Sequence, residues 1–196
     1  MIKTLTRAQI KQLLGAVNLN SPFGKRDYLM ILFLYHTGLR VSELSALNVE
    51  HVYHNGQAKD ELYLAPGLNK NGQSRVIPLN DTARKVVLKL IEFNRSRGFK
   101  VEPGCPLWRN RRHKRLPVRC IQKLVKKHRE AAGLAVPATP HTLRHSFASE
   151  ALARTGSMRA LQAILGHRWL NSTQVYTHPT KADLEKVVRA MVDFSG

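Results

Sequence analysis

Thr139-Pro140-His141-Thr142-Leu143-Arg144-His145 is the most informative stretch of this chain. Thr139 has the side chain of a helix N-cap, and Pro140 suits the first helical position, so the stretch predicts a helix start. His141 and Arg144 then lie three residues apart on one face of the first turn. Because a helix N-terminus attracts negative charge, the two side chains are suited to hold an anion such as a phosphate.

Two later segments add to this candidate site. Leu165-Gly166-His167 is typical of a helix closed by glycine, so His167 follows directly on a helix C-terminus. Asn171-Ser172-Thr173-Gln174-Val175-Tyr176-Thr177-His178 places Tyr176 in a short polar segment. A first-turn histidine and arginine, a second histidine and a polar-flanked tyrosine together suit a phosphate group.

The charge of the chain points to a polyanionic partner. Its 196 residues contain 32 Lys and Arg against 13 Asp and Glu, a formal net charge of +19. Such an excess favours nucleic acid. An anionic membrane surface is the alternative, but no apolar run is long enough to span a bilayer and no secretory signal is recognisable. The length suits one well-packed domain with a small appendage.

The cysteines and histidines indicate neither a disulfide framework nor a metal site. Cys105 and Cys120 form no CxxC pair, which is typical of a reducing cytoplasm. His141 and His145 are four residues apart, as zinc ligands on a helix are, but no glutamate lies between them and no third ligand is near. We therefore predict no metal and no cofactor.

Helical patterns dominate the chain. Thr6 and Gln9 form a capping box, and a strongly apolar helix from about Lys25 to His36 must belong to the core. Gly38 ends that helix, and a short helix follows through Leu47. Further helices are predicted over about 81–97, 118–132, 139–156, 157–165 with Ser157 as its cap, and from 180 onward. The last of these has an apolar stripe of Leu184, Val187, Val188, Met191 and Val192.

Between the helices, short extended segments predict a small antiparallel sheet. Segments 61–64 and 74–79 flank a turn at Asn71-Gly72, which is a strong hairpin signal, and a second turn lies at Asn55-Gly56. The fold class is therefore mainly α with a small antiparallel β-sheet. Lys70 beside the hairpin turn is an ordinary solvated charge in one interpretation and a mobile proton donor in the other.

The most basic segment runs from Arg109 to Arg129 and contains ten Lys and Arg and no acid. Such a run is often only a solvated face. Because no acid compensates it and the whole chain has the same sign, we favour phosphate contacts. The predicted DNA contacts are Arg111, Arg112, Lys114, Arg115, Lys123, Lys126 and Lys127.

The candidate residues match a known phosphoryl-transfer chemistry. Two arginines can hold the non-bridging oxygens of a phosphodiester by charge-assisted hydrogen bonds, which count most as charge builds in the transition state. A tyrosine can be the nucleophile once a base such as histidine takes its proton, and a lysine can protonate the leaving oxygen. Spacing alone does not join Arg40 and Lys70 to the later cluster.

A resemblance joins them. In order and over nearly the whole chain, five segments resemble motifs of the catalytic domain of the tyrosine recombinases, which include phage-type integrases and Xer-like enzymes. The segments are Thr37-Gly38-Leu39-Arg40-Val41-Ser42-Glu43-Leu44, Asn69-Lys70-Asn71-Gly72 with Arg75-Val76-Ile77-Pro78-Leu79, His141-Thr142-Leu143-Arg144-His145, Leu165-Gly166-His167, and Ser172-Thr173-Gln174-Val175-Tyr176-Thr177-His178.

The resemblance implies a role for each residue. Tyr176 would attack a DNA phosphodiester, forming a 3′-phosphotyrosyl link and releasing a 5′-hydroxyl without metal or ATP. Arg40 and Arg144 would hold the scissile phosphate, with a hydrogen bond from His167. The remaining roles are Lys70 as general acid, His141 in proton transfer, Glu43 as orienter of the site, and His145 as a structural or secondary phosphate contact.

The resemblance also implies partners and domains. Double-stranded DNA, a homo-oligomer that is a tetramer in the synapse, and accessory DNA-bending or directionality proteins are the expected partners, with no membrane. Residues 1–178 would be the catalytic domain, and residues 179–196 a C-terminal helix that packs in its own core or is exchanged between subunits. Lys70 lacks the glycines that usually flank this lysine in the family.

The chain begins at the catalytic domain, where most family members have a preceding helical DNA-clamping domain. It would be either an excised domain or a short recombinase without the clamp, like those that invert fimbrial switches. Integration, excision and inversion are all compatible with it. The alternatives are a type IB topoisomerase-like enzyme and a DNA-binding regulator that kept the fold.

Overall fold

The computed structural model describes residues 4–68, 72, 74–166, 179–191 and 194. Within these ranges the chain is mainly helical with two short antiparallel hairpins, as the sequence predicts. The helices are α1 (Arg7–Gly15), α2 (Gly24–Thr37), α3 (Val41–Ala46), α4 (Asp81–Ser96), α5 (Val118–Ala131), α6 (Pro140–Thr155), α7 (Met158–Leu165) and α8 (Lys181–Arg189). The strands are β1 (Tyr53–His54), β2 (Gln57–Ala58), β3 (Glu61–Leu64) and β4 (Arg75–Pro78), and short 3-10 helices lie at Val49–His51 and Pro66–Leu68.

Helix α2 is the centre of the core. Nearly all its residues are buried, and it packs against α4 and α6. Gly38 ends α2 in the left-handed conformation, with φ of 61°. A Cβ at this position would lie 2.5 Å from Cδ1 of Phe147, so only glycine lets α2 end this close to α6. The close approach brings Arg40, two residues later, near the start of α6.

The strands form two separate two-stranded ladders where the sequence suggested one small sheet. Strands β1 and β2 pair across Asn55 and Gly56, both with positive φ, as the predicted turn requires. Strands β3 and β4 pair in the register Glu61↔Pro78 to Leu64↔Arg75. Lys70, in the connection of the second hairpin, lies outside the described residues.

Local capping signals explain most helix starts. The threonine hydroxyl of Thr6 accepts from the N–H of Gln9, and Thr139 and Thr180 cap their helices in the same way. The prediction for Ser157 was wrong in one respect. Ser157 precedes α7, but its side chain makes no capping hydrogen bond, and its N–H donates instead to the Thr155 hydroxyl.

Helix α8 packs against α6, α7 and β4 of its own chain. Val187, Val188 and Met191 of the predicted apolar stripe are buried, whereas Val192 lies outside the described residues. The Asn80 amide also donates to the Val188 carbonyl oxygen at 2.7 Å. In the described part of the chain, no helix combines the length and the apolar character needed to cross a membrane.

Candidate active site

Arg144 is the buried centre of the candidate site. Its side chain extends from the first turn of α6, and the residue is only 6% exposed. Nη1 donates to the Gly38 carbonyl at 2.6 Å, and Nη2 donates to the Leu165 carbonyl at 2.7 Å. A single guanidinium therefore joins the end of α2 to the end of α7, and three of its five N–H groups are not used in these two bonds.

Arg40 lies at the N-cap of α3, beside Arg144. Its Nη1 donates to Oε1 of Glu43 at 3.0 Å, and its backbone N–H donates to Oε2 of the same carboxylate at 2.8 Å. The Arg40 side chain remains 27% exposed, so it can reach a ligand. Glu43 thus holds both the backbone and the side chain of Arg40, and its role as orienter of the site stays a prediction.

A third arginine, which the motifs did not mark as a site residue, completes the cluster. Arg75 begins β4, and its Nη2 donates to Oε2 of Glu43 at 2.7 Å. Its Nε donates to the Ile164 carbonyl at 2.8 Å. Strand alternation was the signal that could have found it, because Arg75 shares the face of buried Ile77, and a core-facing arginine needs an acidic partner.

Three successive carbonyl groups at the C-terminus of α7 accept hydrogen bonds from the three arginines. Ile164 accepts from Arg75, Leu165 from Arg144, and Gly166 from Arg40, the last at 3.4 Å. The last carbonyls of a helix have no partner within the helix and lie at the negative end of its dipole. This helix end therefore stabilises the cluster of positive charge before any substrate arrives.

The cluster leaves the site electropositive. Among the described residues, Glu43 is the carboxylate that interacts with the guanidiniums of Arg40, Arg75 and Arg144. Burial alone would raise the pKa of Glu43, but hydrogen bonds from Arg75 and Arg40 outweigh it and hold the pKa below its usual value. Burial, with the nearby charge of Arg40, lowers the pKa of Arg144 to about 10. An anion that entered would relieve the repulsion between the guanidiniums.

His141 and His145 form a contact pair on the first two turns of α6. Their Nε2 atoms are 2.8 Å apart, so one ring donates a hydrogen to the other. Burial, followed by the charges of His141 and Arg144, lowers the pKa of His145. Among the described residues, no group of three or more His, Cys, Asp or Glu is arranged to hold a metal ion.

Three predicted site residues, Lys70, His167 and Tyr176, lie outside the described residues. Their roles therefore stay predictions. The described chain ends at Gly166 on this side, and the carbonyl of Gly166 is the one that accepts from Arg40. In sequence, the hydrogen-bonded end of α7 thus stops one residue before His167.

Helix α5 separates two grooves on the surface beside the site. One groove, of about 490 Å³, lies between α5 and the start of α6 and includes His141. The other, of about 540 Å³, lies between α5 and the loop around Arg111. Lys123 lines both grooves, with Lys126 on the first and Lys127 on the second, and all three lysines are exposed.

The loop that precedes α5 is pinned at its base and exposed at its tip. A bridge pairs Arg109 with Arg115, and the Asn110 side chain accepts from the N–H groups of Arg112 and Lys114. Arg111, Arg112 and Lys114 are exposed.

Arg115, one of the predicted DNA contacts, is held by acceptors of its own chain. Its guanidinium donates to the carbonyls of Ser45 and Leu47 and to the Asn48 side chain at 2.6–3.0 Å, so it ties the loop to the end of α3. Burial also lowers the pKa of Arg115. These bonds support the loop, and the contact of Arg115 with DNA stays a prediction.

Comparisons with known proteins agree with this architecture. The model of the Phage integrase family matches residues 3–183. Tyrosine recombinase XerD of Listeria monocytogenes serotype 4b (strain F2365) is 34% identical in an alignment 197 residues long, which covers 95% of this chain and 61% of that protein. The chain thus spans about three-fifths of the length of this relative.

Solved structures share the fold. The crystal structure of XerA recombinase superposes with a TM-score of 0.68 at 25% identity, covering 96% of this chain and 65% of that one. XerH site-specific recombinase, bound to a palindromic difH substrate in a post-cleavage complex, gives a TM-score of 0.69 at 23% identity, covering 93% and 51%.

Proposed function

Because the chain belongs to the Phage integrase family and resembles the catalytic domain of Xer-like tyrosine recombinases, we propose that it cleaves and rejoins DNA site-specifically through a 3′-phosphotyrosyl intermediate. The observation that carries the proposal is the convergence of Arg40 and Arg144 on the end of α7. These arginines are 104 residues apart in sequence, yet their guanidiniums bond to the adjacent carbonyls of Gly166 and Leu165.

The arrangement is suited to a phosphodiester. Arg144 is rigid because two carbonyls hold it, while Arg40 is held by Glu43 and keeps an exposed edge. Two fixed guanidiniums can donate to the non-bridging oxygens of a phosphate and stabilise the extra charge of its pentavalent transition state. Because protein groups already hold the two guanidiniums before the substrate arrives, little reorganisation is needed during the reaction.

The remaining roles follow the predicted chemistry. Tyr176 is the nucleophile, and its hydroxyl, with an ordinary pKa near ~10, needs a base. His141 takes part in that proton transfer, and its Nε2 lies 2.8 Å from Nε2 of His145. His167 donates to the phosphate, and Lys70 protonates the leaving 5′-oxygen. No metal or ATP is needed because the phosphoester bond energy is kept in the covalent link.

Double-stranded DNA is the proposed partner. The XerH relative was solved with its DNA substrate, and the two grooves beside α5 are lined by lysines that have the right charge. We assign phosphate contacts to the exposed loop and helix residues Arg111, Arg112, Lys114, Lys123, Lys126 and Lys127. A homo-oligomer, a tetramer in the synapse, is the working form, with accessory DNA-bending or directionality proteins as further partners.

Residues 1–178 form the proposed catalytic domain and residues 179–196 a C-terminal helical segment. The packing of α8 on α6 and α7 gives it a binding surface made of its own chain. The same surface on a neighbouring copy would accept α8 if the segment is exchanged on DNA.

The test is a covalent trap. The chain is expressed in cells that carry its native DNA, the cells are denatured rapidly, and protein-linked DNA is recovered and sequenced at the joined ends. We expect adducts at a few inverted repeats, and none with Tyr176→Phe, although that variant should still bind DNA.

Other outcomes would contradict the proposal. Adducts scattered over the genome would indicate a type IB topoisomerase-like activity instead of a recombinase. Absence of adducts from both proteins, when DNA binding is measured directly in the same cells, would indicate a DNA-binding regulator.

A further inference from the structure

The contacts of Arg75 connect parts of the candidate site that no single predicted motif connects. Its side chain is only 7% exposed, and it lies at the start of β4. It reaches Glu43, 32 residues earlier, and Ile164, 89 residues later. Both bonds are shorter than 2.9 Å and use two different nitrogens of one planar guanidinium.

The Glu43 carboxylate depends on Arg75 for one of its partners. Its Oε1 accepts from the Arg40 side chain, and its Oε2 accepts from the Arg40 backbone and from Arg75. The side chain of Glu43 is completely buried. A buried carboxylate needs every available donor to stay ionised, so Arg75 supplies part of the charge balance that lets Glu43 hold Arg40.

Arg75 also packs directly on the turn that ends α7. Gly166 has a φ of 64°, and a Cβ added there would lie 3.0 Å from Cδ and from Nη1 of Arg75. The guanidinium thus fills the space beside the same turn whose carbonyls bind Arg144 and Arg40. Arg75, on β4, therefore helps to fix the position of that turn and so of both arginines that are proposed to bind phosphate.

We propose that Arg75 is a positioning residue that holds Glu43 and the end of α7 together. It thereby orients the guanidiniums of Arg40 and Arg144. The proposal rests on the proposed function for its effect on cleavage. Arg75 is placed at the start of β4, directly after the connection that contains Lys70. It therefore couples the hairpin to the arginine pair.

The variants separate positioning from bulk stability. Arg75→Gln removes the charge and the paired donors, and Arg75→Lys restores the charge but offers one nitrogen, which cannot span both acceptors. The matched control is Arg84→Gln, which breaks an exposed arginine–carboxylate pair with Asp60 at 3.1 Å.

The first readout is the single-turnover rate of covalent cleavage of a DNA site recovered by the covalent trap. The affinity for the same DNA is measured in parallel. We expect Arg75→Gln to cleave roughly 10²-fold more slowly, because a small misplacement of a positioning group has that effect, while its Kd changes less than about twofold. Arg75→Lys should recover only part of the rate, and Arg84→Gln should match the unmodified chain.

The pH profile distinguishes positioning from partial unfolding. Without Arg75 the pKa of Glu43 should rise, so the acidic limb of the cleavage profile should move to higher pH in Arg75→Gln. A loss caused only by unfolding would scale the whole profile evenly and would disappear on cooling. Either that behaviour or a cleavage rate within about twofold of the unmodified chain would overturn the proposal.

A DNA-free measurement separates this proposal from the proposed function. The Glu43 carboxyl is followed by carbon-13 NMR, assigned by its disappearance in Glu43→Gln, and the Arg40 side-chain N–H signals are followed with it. Arg75→Gln should raise the titration midpoint of Glu43. The separate side-chain N–H signals of Arg40 should merge, because its guanidinium is no longer held in one orientation. An unchanged midpoint with unchanged Arg40 signals would reject the positioning role. Failure of the unmodified chain to form any adduct would reject only the recombinase assignment.

Discussion

The guanidinium of Arg144 is bonded to the carbonyl of Gly38, two residues before Arg40. The two arginines of the proposed phosphate site are therefore not independent side chains that meet at a ligand. One holds the backbone from which the other extends. Any change that moves the end of α2 must move both.

Replacing Arg144 should damage both catalysis and stability. Arg144→Ala removes the donors to two buried carbonyls, each costing about 1–3 kcal/mol when left without a partner. Cleavage should fall by about 10²-fold or more because transition-state charge is no longer neutralised. Urea denaturation and single-turnover cleavage measure the two effects, and a near-normal cleavage rate would refute the assignment of Arg144 to the phosphate.

The lysines of α5 should set the affinity for DNA irrespective of sequence. Changing Lys123, Lys126 and Lys127 together to glutamine should weaken binding to unrelated duplexes alike. It should also reduce the slope of log K against log salt by about 0.9 for each phosphate that the protein no longer neutralises. The control changes Lys59, Lys85 and Lys89, which line neither groove beside α5. Equal slopes for both triple variants would place DNA elsewhere.

Arg111 and Arg115 should behave differently although they are four residues apart on the basic loop. Arg111→Gln should weaken DNA binding and leave the thermal midpoint nearly unchanged, because Arg111 is exposed. Arg115→Gln should lower the thermal midpoint, because it removes the donors to Ser45, Leu47 and Asn48. Fluorescence anisotropy with labelled duplex and thermal denaturation test the pair. A reversed pattern would favour Arg115 over Arg111 as the DNA contact.

The pKa of His145 predicts a loss of stability on acidification. Because burial, His141 and Arg144 lower this pKa in the folded chain, the unfolded chain binds the proton first as the pH falls. This contribution to stability is complete above the ordinary histidine pKa of about 6.5 and is lost as the pH falls toward the lowered value. The thermal midpoint should be measured from about pH 7.5 to about pH 5, a range that spans the ordinary histidine pKa. Over this range it should fall less in His145→Asn than in the unmodified chain.

The sequence predicted what local chemistry determines. Thr6, Thr139 and Thr180 cap helices because the donor of each capping bond lies three residues along the chain. Gly38 was predicted as a helix end for a similar local reason. Recognition of the family then joined Arg40 to Arg144, which no local pattern could do.

What the sequence did not predict depends on contacts made after folding. Arg75 was read as part of a hairpin motif without a role, since its acceptors Glu43 and Ile164 become neighbours only in the tertiary structure. Arg115 was interpreted as one charge in a basic run, because sequence cannot tell a solvated arginine from one that bonds to carbonyls. Ser157 stands at the start of α7 but makes no capping hydrogen bond with its hydroxyl, because the position of a residue in the sequence does not determine its side-chain rotamer.

The end of α7 has a consequence for how this protein can change over evolutionary time. The groups that receive Arg75, Arg144 and Arg40 are main-chain oxygens, which every amino acid supplies. Substitutions at Ile164 and Leu165 can therefore drift among apolar residues that fill the same volume without altering the anchors of the site. Gly166 has less freedom, since its φ of 64° disfavours other residues and an added Cβ would lie 3.0 Å from the Arg75 side chain. A saturation library across these three positions should record that contrast as broad tolerance at the first two and lower tolerance at Gly166.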